Sequence, residues 1–146
     1  MTIEPLGTDL IERYLRARGR RYFRGHQDSE FFFVADTRPR RLHVHLEINP
    51  AQVLAIRATP ACYFPATACA ALTGLVDAWN GQNREVMAIV HGSADPHRIG
   101  VAAHAYRRFG THVCFDDFAG RVDRAIGAAI ELFAELTVQP VLPDAG

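Results

Sequence analysis

The sequence predicts an α+β domain with a mainly antiparallel sheet, and three observations support this prediction. Short segments in which apolar and polar residues alternate predict β-strands. Longer segments with apolar residues three and four positions apart predict three helices. The predicted strands follow one another through short loops, which join antiparallel neighbours. We therefore expect one sheet of five or six strands with helices packed on it.

The first helix is predicted over residues 9–18, where Ile11, Tyr14 and Leu15 lie at helical spacing and Gly19 provides a stop. Strands are predicted next, over residues 21–24, 30–36, 42–48 and 53–59. The third of these has the clearest pattern, because apolar residues alternate with polar ones and one face is expected to be buried. The second is apolar on both faces, as in a strand that is covered on both sides.

A second helix is predicted from Pro65 to Asn80, because proline suits the first turn of a helix. Two further strands are predicted over residues 85–91 and 99–106, joined as a hairpin. The last helix is predicted over residues 115–136, and the chain beyond it is expected to be a loose tail. Five residues on the core-facing stripes of the last two helices are expected to be buried: Leu72, Trp79, Phe118, Val122 and Ile126.

The composition is that of one folded domain over residues 1–146, with its core over about residues 8–136. Hydrophobic residues make up 49% of the chain and charged residues 22%, which excludes a disordered protein. Sixteen basic and sixteen acidic residues cancel. No net field therefore favours nucleic acid or an anionic membrane as a partner.

Residue usage also indicates the source and the compartment. All sixteen basic residues are arginine and alanine is abundant, which indicates a GC-rich bacterial genome. The sequence shows neither a secretory signal nor a stretch of about 20 apolar residues that could span a membrane. Cys62, Cys69 and Cys114 lack metal-ligand spacing and are interpreted as free thiols in a reducing compartment. We predict a cytoplasmic protein without a membrane partner.

Two segments resemble the YbjN family of bacterial proteins. One joins the end of the second helix to the following strand, residues 75–80 and 85–90, and contains the pair Trp79-Asn80. The other is the early hairpin, residues 21–23 and 31–34, followed by residues 42–46. The order of the elements also matches, and the resemblance covers about residues 8–136.

The resemblance implies a type III secretion chaperone-like fold, a tendency to dimerise and a bacterial sensory or regulatory role. The family has no recognised catalytic set, so the resemblance implies no active-site residues. The family often has Ser or Thr as the cap of the last helix, whereas this chain has Cys114, which caps poorly. Trp79 is interpreted as a core residue, and the alternative is an exposed anchor in a partner's groove.

The histidines raise the question of a metal site. His43, His45 and Glu47 lie on one face of the predicted strand 42–48. Three successive ligands on one strand are spread over about 13 Å, which is too far for a single ion, and a further ligand would have to come from another strand. We interpret these histidines as solvated or interface-lining and predict neither a metal ion nor a cofactor.

Nucleophilic catalysis has no support in the sequence. The chain contains no Gly-x-Ser-x-Gly elbow and no glycine-rich phosphate loop. The three cysteines lie in apolar or helical contexts, where a neutral packed thiol is the usual state. Asp116 and Asp117 lie at a predicted helix start, where the helix dipole favours negative charge. We predict no catalytic residues and no enzymatic activity.

A cluster of arginines suggests an alternative function. Its members are Arg13, Arg16, Arg18, Arg20, Arg21 and Arg24. With Tyr14, Tyr22 and Phe23 interleaved, the cluster could bind a single-stranded nucleic acid or an acidic partner. The zero net charge argues against nucleic acid, and a solvated basic face is the simpler interpretation. A metal-dependent enzyme is the third hypothesis.

The favoured function rests on an apolar strand. Residues 31–34 are apolar on both faces, whereas helices on one side of a sheet leave the other face to water. An exposed apolar patch of this kind marks an interface. The candidate interface consists of Phe31, Phe32, Phe33, Val34, Val53 and Ile56. We predict a non-enzymatic protein-binding module, chaperone-like or regulatory, which acts as a homodimer and binds a further bacterial protein.

Overall fold

The computed structural model describes residues 2–27, 29–38, 40–82, 84–138 and 142–143 of the chain. The helices of this part are α1 (Thr8–Ala17), α2 (Cys69–Asn80) and α3 (Phe115–Glu135). Its strands are β1 (Ile3–Pro5), β2 (Tyr22–Arg24), β3 (Glu30–Ala35), β4 (Leu42–Ile48), β5 (Val53–Pro60), β6 (Cys62–Pro65), β7 (Met87–Gly92), β8 (Arg98–Arg108), β9 (His112–Cys114) and β10 (Leu142–Pro143). None of these helices is long and apolar enough to cross a membrane.

The main sheet is antiparallel throughout. Six strands lie side by side in the order β2-β3-β4-β5-β8-β7. The chain leaves β5 at Ala61 and resumes as β6, which pairs with the beginning of β8 and makes the sheet seven-stranded. The short strand β10 pairs with β6, and β1 and β9 form a separate antiparallel pair.

The α+β class and the mainly antiparallel sheet are confirmed, with one strand more than the five or six expected. The additional strand is β6, whose Phe64 is buried and pairs with Ile99 of β8. Pro65 ends this strand with extended backbone and precedes a single 3₁₀ turn, so α2 begins only at Cys69. The predicted start of the second helix at Pro65 is therefore wrong by about one turn.

Three short strands are not evident from the sequence. β1 and β9 have three residues each, which is too short for an alternating pattern to register. Leu142 and Pro143 pair with Tyr63 and Cys62, where a loose tail was expected. The other residues beyond 138 lie outside the described part of the chain.

The helices cover one face of the sheet and enclose the core. Helix α3 packs against β5 and β8, and α1 packs against α3. The rings of Tyr14 and Phe118 meet edge to face there, with their centroids 5.9 Å apart. The five residues predicted to be buried are all at most 5% exposed: Leu72, Trp79, Phe118, Val122 and Ile126. That prediction is confirmed, and Trp79 is not an exposed anchor.

Candidate functional site

The face of the sheet that is turned away from the helices, here called the outer face, carries the candidate site. One row of side chains crosses it through six strands, because each member is paired in register with the next. From β2 to β7 the row consists of Phe23, Phe32, His45, Arg57, His104 and Met87. Alternation along each strand places further side chains on the same face: Glu30, Val34, His43, Glu47, Thr59, Ile89, His91 and Tyr106.

The outer face holds most of the exposed apolar surface of the protein. Among the described residues, seven large apolar side chains are exposed. Six of them lie on the outer face: Phe23, Phe32, Val34, Met87, Ile89 and Tyr106. The seventh, Ile3, belongs to the separate β1–β9 pair. Apolar surface gathered on one face marks a binding surface.

A shallow groove runs along the outer face. Its larger part has a volume of about 640 Å³ and is lined by Phe23, Phe32, Val34 and His45 among others. A smaller hollow of about 160 Å³ adjoins it and extends to Cys62, Tyr63 and His91. The two share His43, Arg57 and Thr59 along their boundary. The groove is therefore apolar at one end and carries several titratable groups toward its centre.

The charged groups of the outer face form two clusters. In the first, Glu30 of β3 lies directly opposite Glu47 of β4. His45 Nε2 lies 2.8 Å from Glu30 Oε2 and 3.9 Å from Glu47 Oε2. The hydrogen bond with His45 holds the pKa of the Glu30 carboxyl below its usual value. The ring of Phe32 stacks against His45, with the ring centroids 4.6 Å apart.

The second cluster surrounds Arg57, which is exposed in the middle of β5. No carboxylate among the described residues forms an ion pair with this guanidinium. His104 is its neighbour in register on β8. Partial burial lowers the pKa of His104, and the charges of Arg57 and His91 lower it further. The centre of the outer face is therefore basic, and the β3–β4 side is acidic.

The structure divides the candidate interface residues between the two faces. Phe31 and Phe33 are at most 2% exposed and belong to the core. Ile56 also belongs to the core, and Val53 is only 7% exposed although alternation along β5 places it on the same face as Arg57, so these four residues present little surface to a partner. Phe32 and Val34 are 42% and 45% exposed on the outer face. Alternation along β3 determines which of its side chains are buried and which are exposed, because only one face of the strand meets the helices.

The pair Trp79-Asn80 has a structural role. The indole N–H of buried Trp79 donates to the carbonyl of Val86 at 2.9 Å. The Asn80 amide donates to the Ala88 carbonyl and accepts from the Ala88 N–H, as a neighbouring strand would. The guanidinium of Arg84 lies over the Trp79 ring, 4.2 Å from its centroid. The end of α2 is thus tied to β7 and covers part of a sheet edge.

The arginine cluster is largely engaged within the protein. Arg13 pairs with Glu4, Arg16 and Arg24 pair with Glu12, and Arg18 pairs with Asp123. Arg20 lies over the ring of Phe33, and Arg21 is exposed. Of the interleaved aromatic residues, Tyr14 is buried and Tyr22 donates to Glu12. These pairings weaken the nucleic-acid hypothesis, because most of the cations are already neutralised.

The cysteines and the acidic pair remain without a chemical assignment. Cys62 and Cys114 are half-buried and Cys69 is exposed, so Cys69 is not the packed thiol expected from its helical context. Cys114 occupies the N-cap of α3 and makes no side-chain capping hydrogen bond, as its residue type predicts. Asp116 and Asp117 lie in the first turn of α3, where they interact favourably with the helix dipole.

The fold is that of a known protein. No family model matches the chain, and no curated protein matches it by sequence. A search of solved structures finds YbjN from E. coli, a protein proposed to be a transcription regulator. The two chains share 15% sequence identity and superpose with a TM-score of 0.73 over 93% of this chain and 95% of the other. The YbjN-like fold expected from the sequence is confirmed.

Proposed function

We propose that this chain is a non-enzymatic, regulatory protein-binding module that acts as a homodimer through the outer face of its sheet. The observation that carries the proposal is the location on that face of six of the seven large apolar side chains that are exposed in the described part of the chain. Isolated apolar residues are ordinary on a protein surface, but apolar residues gathered on one face mark a contact surface. The fold shared with YbjN supports a regulatory role.

The size of the outer face suits a dimer. Its six strands lie about 4.8 Å apart, so the face is about 24 Å wide, and seven residues of strand extend about 23 Å. Each copy can therefore bury about 550 Å², and two copies about 1,100 Å² in total. Specific interfaces begin near about 1,000 Å². A second copy of the chain thus supplies enough surface to cover the patch.

Two-fold symmetry can bring the two apolar ends of the outer face together. A two-fold axis parallel to the strands and between β4 and β5 superposes β4 of one copy on β5 of the other. Because rotation about this axis leaves the position along the strands unchanged, that arrangement places His45 over the partner copy's Arg57 and Phe23 over its Met87. The apolar side chains at each end of the row are then covered by apolar side chains of the other copy.

The proposal is tested by sedimentation velocity at low micromolar concentration, in low and in high salt. The wild type should sediment as a dimer in both, because apolar contacts contribute most of the interface. Phe32→Asp should give a monomer, because it places a charge inside the apolar patch. Ile3→Asp is the matched control: it replaces another exposed apolar residue, distant from the outer face, and should leave the dimer intact.

Two results would contradict the proposal. The first is a wild-type monomer in both salts at concentrations where the fold is intact. The second is a Phe32→Asp variant that remains dimeric, because the outer face would then not be the contact. Far-UV circular dichroism of both variants checks that each is folded.

A further inference from the structure

The side chains of Glu30, His45 and Glu47 converge on the outer face, although they come from two strands. Glu30 lies directly opposite Glu47 across the β3–β4 pair, and His45 is two residues before Glu47 on the same strand. One donor atom from each residue lies within 4.8 Å of the other two. The sheet therefore brings together one imidazole nitrogen and two carboxylate oxygens at one point of the outer face, where Glu30 and His45 also line the groove.

We infer that these three side chains form a binding site for a divalent first-row transition metal ion such as Zn²⁺. Metal bonds of about 2.0–2.2 Å place neighbouring donors about 3.0–3.5 Å apart. The His45–Glu47 separation of 3.9 Å must close slightly, and the His45–Glu30 hydrogen bond of 2.8 Å must open slightly. Small side-chain rotations accomplish both.

The electrostatics of the strand pair favour a cation at this point. Two like charges directly opposite each other on neighbouring strands destabilise the pairing. Glu30 and Glu47 are such a pair, and His45 is the nearest group that can carry a positive charge. A divalent ion would neutralise both carboxylates and leave the imidazole as a neutral ligand.

The Glu30 carboxylate is held by the turn before β3. A side-chain carbon at Gly25 would lie 1.9 Å from Glu30 Oε1, so only glycine leaves room for the carboxylate in this position. The backbone N–H groups of His26 and Gln27 also interact with this carboxylate. Oε1 thus faces the turn, and Oε2 is presented to His45. Support of this kind orients a ligand before the ion arrives.

The ligand types narrow the choice of ion. An imidazole nitrogen favours zinc, iron, nickel or copper over magnesium and calcium, which prefer oxygen donors throughout. In the single chain Glu30, His45 and Glu47 are partly exposed, so water can complete the coordination there. The sequence pattern suggests His43 together with His45 and Glu47, whereas in the structure Glu30 of the neighbouring strand takes the place of His43.

The test is a zinc titration of the full chain after treatment with chelator and dialysis. Binding is measured by competition with a zinc indicator dye and by elemental analysis after equilibrium dialysis. The wild type should bind about one Zn²⁺ per chain and melt at a higher temperature with zinc present, because the ion binds only the folded state. All three ligands belong to one chain, so the zinc count per chain and the sedimentation of the wild type are separate measurements, and either proposal can fail without the other.

Four variants locate the site. Glu30→Gln, Glu47→Gln and His45→Gln should each weaken zinc binding about tenfold or more, because each removes a ligand. Gly25→Ala should weaken it about tenfold while all three ligands remain, because the added carbon displaces the Glu30 carboxylate. Melting curves without zinc confirm that each variant is folded.

His43→Gln is the matched control, because His43 lies on the same strand and face but outside the cluster. It should bind zinc as the wild type does. The inference is overturned if the wild type shows no saturable binding or if Glu30→Gln and His45→Gln bind normally. It is equally overturned if His43→Gln weakens binding as much as they do, because nonspecific binding by surface histidines would then explain the result.

Discussion

The two faces of the sheet are built from the same strands but differ in composition. On the inner face, β3 contributes Phe31 and Phe33, which are packed under the helices, and no buried residue of the described part is polar or charged. On the outer face, the same strand contributes Glu30, Phe32 and Val34. Four of the seven histidines also lie on the outer face: His43, His45, His91 and His104.

The difference separates the side chains that stabilise the fold from those that remain available to water or to a partner. Apolar side chains on the inner face lose their contact with water on folding, and this burial drives folding. Titratable side chains are costly in such a core, but they are tolerated on the outer face, where water or a partner can satisfy them. Substitutions on the two faces should therefore have different consequences, even at adjacent positions of one strand.

The largest contrast is expected between Phe31 and Phe32. Phe31→Ala should lower the free energy of unfolding by about 3–5 kcal/mol, because it leaves a cavity in the core. Phe32→Ala should lower it by less than about 1 kcal/mol, because the side chain is 42% exposed. Urea denaturation at low protein concentration, where dimerisation contributes little, measures both values. Equal losses would contradict the assignment of the two faces.

A smaller contrast is expected between Asn80, which hydrogen-bonds to β7 from the end of α2, and Met87 of β7. Asn80→Ala should lower the free energy of unfolding by about 1–3 kcal/mol, because the Ala88 N–H and carbonyl lose their partners. Met87→Ala, next to Ala88 but on the outer face, should change it by less than about 1 kcal/mol. Thermal unfolding of both variants provides the comparison. An Asn80→Ala variant as stable as the wild type would show that the edge of β7 does not need this cover.

The smallest effect concerns a carboxyl of the helix layer. Asp123 accepts hydrogen bonds from the Tyr14 hydroxyl at 2.6 Å and from Arg18 at 2.7 Å. Burial raises the pKa of Asp123, but these two hydrogen bonds and the charges of Arg18 and Arg20 together outweigh it and hold the pKa below its ordinary value. Burial also raises the pKa of Tyr14, as does its hydrogen bond to Asp123, so the hydroxyl remains a donor.

The lowered pKa gives a pH dependence of defined sign. The contribution of Asp123 to stability is fully present above the ordinary pKa of about 3.9 and is lost as the pH falls through the lower pKa of the folded state. Because the carboxyl is partly exposed, the contribution should be at most about 1 kcal/mol. The stability difference between the wild type and Asp123→Asn should shrink below about pH 4. A difference that is constant down to pH 2 would contradict the lowered pKa.

Most of the secondary structure could be predicted from the sequence. The strand predicted over residues 42–48 is observed as Leu42–Ile48, and the last helix predicted over residues 115–136 is observed as Phe115–Glu135. Both have strong periodicity, because each packs one face against the core. The strands that were missed, β1, β6, β9 and β10, have two to four residues. Such strands are stabilised by their partners, which lie far away in the sequence.

The candidate site was only partly predictable. Residues 31–34 indicate an unusually apolar strand, but not which of its faces meets the helices. The cluster of Glu30, His45 and Glu47 also depends on register, because Glu30 is 15 residues from His45 in the sequence and only 2.8 Å away in space. The pattern of a single strand suggests His43 as the third ligand. The opposite residue on the neighbouring strand is the one that the sheet supplies.

The sequence by itself determined the class of the fold, the alternation of the strands and the burial of the helix stripes. These properties depend on local periodicity, which each segment carries without its neighbours. The tertiary structure decided which side of β3 became the outer face, how the arginines were paired and which carboxylates met His45. Those outcomes depend on strand register and helix placement, and both are set by packing between segments that are distant in the chain.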